Sequence, residues 1–232
     1  MNCESSSKRP IPLFRSMHAA FAHLKRFLAA HPALLLLYWA VFLAVFELSE
    51  RGFGIQSYHI VQVVWDNYIP YNSIFVIPYI AWFFFVGGMT VYTFFCEKAV
   101  FLRYMTFVAV TYSVGLILFF AFPSIQYLRP TVFVNPTLFD RLVIGLYASD
   151  TNTGVFPSLH VTGQLAVLLA AFRCERFRSL AWRAFFVLSS VLVCASTVFI
   201  KQHSLLDVFA GILICAAAYP LVYGKKSRRC VG

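Results

Sequence analysis

Apolar residues run along this chain in six long blocks, at about residues 33–49, 73–96, 104–122, 158–172, 180–200 and 205–223. Crossing a hydrocarbon core of roughly 30 Å takes about 20 helical residues, and the blocks match or approach that length. The two shortest have sensible helix starts, with Pro32 suited to a first turn and Pro157-Ser158 opening the fourth block. The pattern predicts an all-α polytopic membrane protein, a bundle of six transmembrane helices over 33–223. It is flanked by an N-terminal tail, 1–32, and a short basic tail, 224–232. No small-residue cleavage site follows the first apolar run, which therefore reads as an uncleaved anchor.

Composition agrees with the pattern. Of 232 residues, 60% are hydrophobic and only 12% charged, too apolar for a water-soluble domain of this size or a disordered chain. The net charge of +10 changes meaning once it is placed along the chain. Fifteen of the 19 basic residues fall in the N-terminus, the second and fourth loops and the C-terminal tail, leaving Arg51, Arg129, Arg141 and Lys201 on the opposite side. By the positive-inside rule both termini are cytoplasmic, and the first, third and fifth loops face the periplasm, exterior or lumen. The basic charge is then a topology signal, and nucleic acid is excluded as a partner. The six cysteines have no zinc-like spacing and read as free thiols.

The polar exceptions gather on the outward side. The third loop, 123–157, carries Arg129-Pro130 early, Asp150 and Asn152 late, and runs into Pro157, Ser158 and His160. The fifth loop is only Lys201-Gln202-His203-Ser204, leading into a helix with Asp207. His203 and Asp207, four apart, share a helix face, so the carboxylate can hold the imidazole in one tautomer; a structural cap at the helix start is the other reading of the pair. His160, alone, reads more readily as a satisfied rim histidine than as a catalyst. Two histidines at helix starts with an arginine and a lysine on the same side describe a phosphate site, since helix N-termini and cations both favour anions. A metal site is the competing account of two histidines and an aspartate, and the neighbouring cations argue against it.

These residues resemble the signatures of the type 2 phosphatidic acid phosphatase (PAP2) superfamily. Pro157-Ser158-Leu159-His160 resembles P-S-x-H, His203 to Asp207 resembles the closing H-x-x-x-D, and Arg129-Pro130 matches the end of K-x6-R-P. The chain has Phe122 where the first signature has Lys and Thr197 where the third has Arg. The segment Ser196 to His203, and Asp66-Asn67-Tyr68-Ile69-Pro70 with Pro78-Tyr79, look like a branch related to inositol phosphorylceramide synthases.

The resemblance implies a cofactor-free, metal-independent lipid phosphatase working through a phosphohistidine. His203 would be the nucleophile, Asp207 its orienting partner and His160 the leaving-group acid, with Arg129, Lys201 and Ser158 binding the phosphate of a membrane lipid. Lys201 would replace the missing family cation. Transfer to a lipid alcohol is the alternative on the same residues, and an inactive anionic-lipid binder a further one. Asp66, Asp150 and Asn152 read mainly as loop structure; Trp39, Trp65, Trp82 and Trp182 read as packing or interfacial anchors. His18, His23, His31 and His59 are left outside the site.

Overall fold

The computed structural model describes residues 30–224; the tails beyond, with the basic residues, Cys3, Cys230, His18 and His23 placed there by sequence, lie outside the described residues. A 3₁₀ turn, Pro32–Leu36, leads into α1, Leu37–Glu50. Then follow α2, Val76–Cys96, α3, Lys98–Ala121, and α4, Leu138–Ser149. The last described helices are α5, Leu159–Ala171, α6, Leu180–Phe199, and α7, Leu205–Tyr223. The apolar blocks thus become helices close to their expected bounds, and five stretches are long and apolar enough to cross a bilayer. These helices mark an integral membrane protein.

The fourth block differs. Helix α5 has 13 residues, about 20 Å of rise, and falls short of a full span. It sits inside the bundle, where Ala166, Val167, Ala170 and Ala171 are buried against α3 residues such as Tyr104, Phe107 and Tyr112. Small side chains let neighbouring backbones approach closely, the usual solution for helix contacts in lipid. At Gly163 an added Cβ would come within 2.3 Å of the Tyr112 hydroxyl and 3.0 Å of Trp82, so only glycine admits both rings.

The third loop carries secondary structure of its own. Thr137 and Asp140 form a reciprocal capping box that starts α4, a T-x-x-D signal the apolar scan passes over. Two short parallel strands, β1, His59–Ile60, and β2, Ser124–Ile125, tie the first loop to the third. Phe156 N–H donates to the Ser124 hydroxyl at 3.0 Å and Gly154 N–H to the Ser124 carbonyl at 2.8 Å. These bonds hold residues 150–157 over the end of the bundle where α5 and α7 begin. Cys96, Cys174, Cys194 and Cys215 are free thiols.

Candidate active site

Helices α5 and α7 start side by side. Ser158 N–H donates to the Asp207 carbonyl at 3.1 Å, and an added Cβ at Gly211 would lie 3.1 Å from the Ser158 carbonyl. That close approach brings His160, on the first turn of α5, to a ring separation of 5.8 Å from His203, just before α7. Both histidines line an open cavity of about 730 Å³.

His203 is held by one nitrogen. Its Nδ1 lies 3.0 Å from the Val155 carbonyl oxygen and 3.3 Å from Asp207 Oδ2. A carbonyl oxygen has no proton to give, so Nδ1 carries the hydrogen and donates; the Nε2 lone pair of the neutral ring is left free. Asp207, completely buried, also accepts the Ser204 N–H at 2.8 Å, closing a capping box with Ser204. The pair therefore both caps the helix and orients the imidazole, and the two readings left open by the sequence coincide.

His160 is clamped rather than hydrogen-bonded. Tyr79 stacks on it at 4.1 Å and Trp82 packs tilted against it at 4.2 Å, both from α2, and its Nε2 has no hydrogen-bond partner among the described residues. Trp82, a packing or interfacial residue by its sequence, lies against His160 and so belongs to the site. Tyr79 and Trp82 are three apart on one helix face, the spacing by which this clamp could have been found. Tyr79 and Gln202 both donate to Asp150 Oδ2, so Asp150, read mainly as loop chemistry, also ties α2 to the fifth loop and lines the cavity.

The expected phosphate ligands are arranged otherwise. Ser158, Arg129 and Lys201 do not line the cavity. The Ser158 hydroxyl accepts from Val161 N–H at 3.4 Å as the cap of α5. Arg129 packs its guanidinium 4.5 Å over the Tyr147 ring and donates to the carbonyls of Tyr147 and Thr151, bracing the rim behind the cavity wall. Burial pushes its pKa below the ordinary arginine value, and Asp150 nearby opposes that shift. Lys201 is buried, with Nζ donating to the carbonyls of Asp66 at 2.7 Å and Ile69 at 2.5 Å. Its side chain is a strut between loops, which corrects the expectation that it faces the phosphate. Desolvation pushes its pKa down, against the attraction of Asp66.

The rest of the cavity is apolar on one side and acidic on the other. Trp39, Phe42 and Phe46 of α1 face Phe83, Val86 and Val91 of α2, forming a slot that runs away from the histidines between two long apolar helices. The mouth carries Glu47, Glu50 and Asp150 with Arg51, of which Glu47 and Arg51 pair at 2.8 Å. Among the described residues no group of three or more His, Cys, Asp or Glu side chains could hold a metal ion. His59 stacks on Phe122 at 4.5 Å beside the strand pair, and Asn152 donates to the Gln126 carbonyl at 2.8 Å as a loop residue; neither histidine His59 nor His31 lines the cavity.

A family model for the PAP2 superfamily matches residues 103–229, a segment that contains His160, His203 and Asp207. Searches of curated proteins and of solved structures find no match to the chain.

Proposed function

Because the chain belongs to the PAP2 superfamily, we propose that it is a lipid phosphatase that transfers a phosphoryl group through His203 at one rim of the membrane. The observation that carries this reading is the pairing of a buried His203, its Nδ1 proton held by Val155 and Asp207, with His160 across one cavity. Members of the superfamily are metal-independent phosphatases or phosphotransferases.

In the first step Nε2 of His203 attacks phosphorus. The N–P bond forms as the P–O bond to the leaving group breaks, and protonated His160 gives its proton to the departing oxygen. Asp207 stabilises the charge that develops on the His203 ring. In the second step water attacks phosphorus, neutral His160 takes its proton, and the N–P bond breaks to restore His203 and release phosphate. With Lys201 and Arg129 engaged elsewhere, the phosphoryl oxygens fall to the start of α5. The first N–H groups of a helix have no intrahelical partner; Ser158 takes that of Val161, leaving those of Leu159 and His160 for an anion.

The apolar slot between α1 and α2 supports a lipid substrate, with its phosphate at the histidines and its chain along Phe42, Phe46 and Val86. In this reading α5 completes a six-helix bundle, the termini are cytoplasmic, and the site faces the periplasm, exterior or lumen. One observation favours transfer as a second outcome: Glu50 and Asp150 place hydrogen-bond acceptors at the mouth, suited to the hydroxyls of an alcohol acceptor and not to phosphate oxygens. The test is phosphate release by purified protein from phosphatidic acid, lysophosphatidic acid and isoprenyl diphosphates in micelles, with and without diacylglycerol as acceptor. Turnover by wild type and none by His203→Ala is expected. Turnover retained in His203→Ala overturns the scheme, and no turnover across the panel favours a lipid-binding protein.

A further inference from the structure

Asp66 lies outside the segment matched by the family model, in the 3₁₀ turn Val64–Asn67 that follows β1. It is completely buried at 0% exposure. A carboxylate leaves water only where other donors replace the ones it loses. Here Val63 N–H donates to Oδ2 at 2.7 Å, the Ser204 hydroxyl donates to Oδ2 at 2.7 Å, and Leu205 N–H donates to Oδ1 at 2.8 Å. Two of these donors come from the N-cap and first residue of α7, where an anion also meets the positive end of the helix dipole.

The same turn is gripped a second time. Lys201 Nζ reaches the main-chain carbonyls of Asp66 and Ile69 from the other side of His203. The Lys201 backbone is left-handed, with φ of 56°, a conformation that persists for a non-glycine residue only where neighbours enforce it. Gln126 helps by donating its side-chain amide to the Lys201 carbonyl at 2.9 Å. One turn of the first loop therefore fastens residues 201, 204 and 205, which bracket His203. Among the described residues the His203 ring is hydrogen-bonded through Nδ1 alone, to Val155 and Asp207, so the placement of Nε2 follows the chain at 201–205.

We infer that Asp66 is a positioning residue for phosphoryl transfer, anchoring residues 201–205 so that His203 Nε2 is held in line for attack. The inference rests on the reading of His203 as nucleophile. Asp66 does not line the cavity, so it acts through the placement of His203. A misplaced nucleophile slows the chemical step and leaves binding intact. An amide cannot replace the carboxylate: its single oxygen cannot serve all three donors, and in either orientation its NH₂ would face a backbone N–H, that of Leu205 or that of Val63.

The test uses the full chain in phosphatidic acid micelles, or the best lipid of the panel above, comparing wild type with Asp66→Asn, Ser204→Ala, the double variant and His203→Ala. For Asp66→Asn the expected result is kcat lower by about 30-fold or more with KM within about threefold of wild type. Ser204→Ala, which keeps both backbone N–H bonds to Asp66, should lose about fivefold in kcat, and the double variant should be no slower than Asp66→Asn within about threefold. An Asp66→Asn enzyme with wild-type kcat, or with its loss confined to KM, overturns the inference. If Asp66→Asn does not fold, Ser204→Ala decides: unchanged kcat overturns the inference, and lowered kcat at constant KM upholds it. His203→Ala separates the two readings, since an inert His203→Ala beside a fully active Asp66→Asn refutes the role of Asp66 alone. An active His203→Ala, or a panel without turnover, removes the nucleophile and with it anything for Asp66 to position.

Discussion

His203 Nδ1 lies 3.3 Å from Asp207 Oδ2 while sitting 3.0 Å from the Val155 carbonyl, so a single proton is shared between two acceptors. The backbone carbonyl keeps the tautomer even when the carboxylate is altered, and what the carboxylate adds is charge for the imidazolium-like transition state. Asp207→Asn should lower kcat by about 100-fold and Asp207→Ala by about 1000-fold, both short of the complete loss in His203→Ala. Steady-state phosphate release measures all three.

Lys201 provides a separate expectation. Since its ammonium holds the carbonyls of Asp66 and Ile69 and does not face the cavity, Lys201→Gln should lower the melting temperature and kcat while leaving KM for the lipid within about threefold. A lysine that bound substrate phosphate would raise KM instead. Thermal unfolding in detergent together with saturation kinetics distinguishes the two.

Gly163 controls how His160 is clamped. A methyl group there would overlap the Tyr112 hydroxyl at 2.3 Å and press on Trp82, the ring packed against His160. Gly163→Ala should destabilise the bundle by about 1–3 kcal/mol and slow turnover, whereas Gly87→Ala, where an added Cβ meets nothing within 4 Å, should do neither. Denaturation midpoints of the two variants provide the comparison.

Gly87 also lines the cavity, which makes it a place to narrow the slot between α1 and α2. Gly87→Phe should raise KM about tenfold or more for long-chain phosphatidic acid and leave hydrolysis of a short-chain analogue unchanged. Equal effects on both chain lengths would show that the acyl chain lies elsewhere.

The start of α4 should be sensitive to acid. Hydrogen bonds from the Thr137 hydroxyl and N–H draw the Asp140 carboxyl down from an ordinary 3.8 to about 2. A depressed carboxyl contributes stability that is fully present above the unfolded value and is lost as pH falls through the folded one, here between about pH 4 and 2. Amide exchange across residues 138–142, corrected for intrinsic rates, should accelerate in that window and become independent of it in Asp140→Asn.

The family match, the helical blocks and the pair His203 and Asp207 were all legible in the amino-acid order, because each is carried by short runs of the chain. Apolar length decides what lipid will accept, and a spacing of four places two side chains on one helix face whatever surrounds it. The short α5 is less predictable: packed through its own small residues against the aromatic side chains of α3 inside the bundle, it needs no complete apolar length of its own. The direction of Lys201, the clamp of Tyr79 and Trp82 on His160, and the hold of Asp66 on Ser204, 138 residues later in the chain, were decided only by tertiary packing. Almost every helix here is apolar on all sides, so the hydrophobic pattern carries little information about which faces meet. Those meetings are set by shape and by the few polar groups that must find partners away from water.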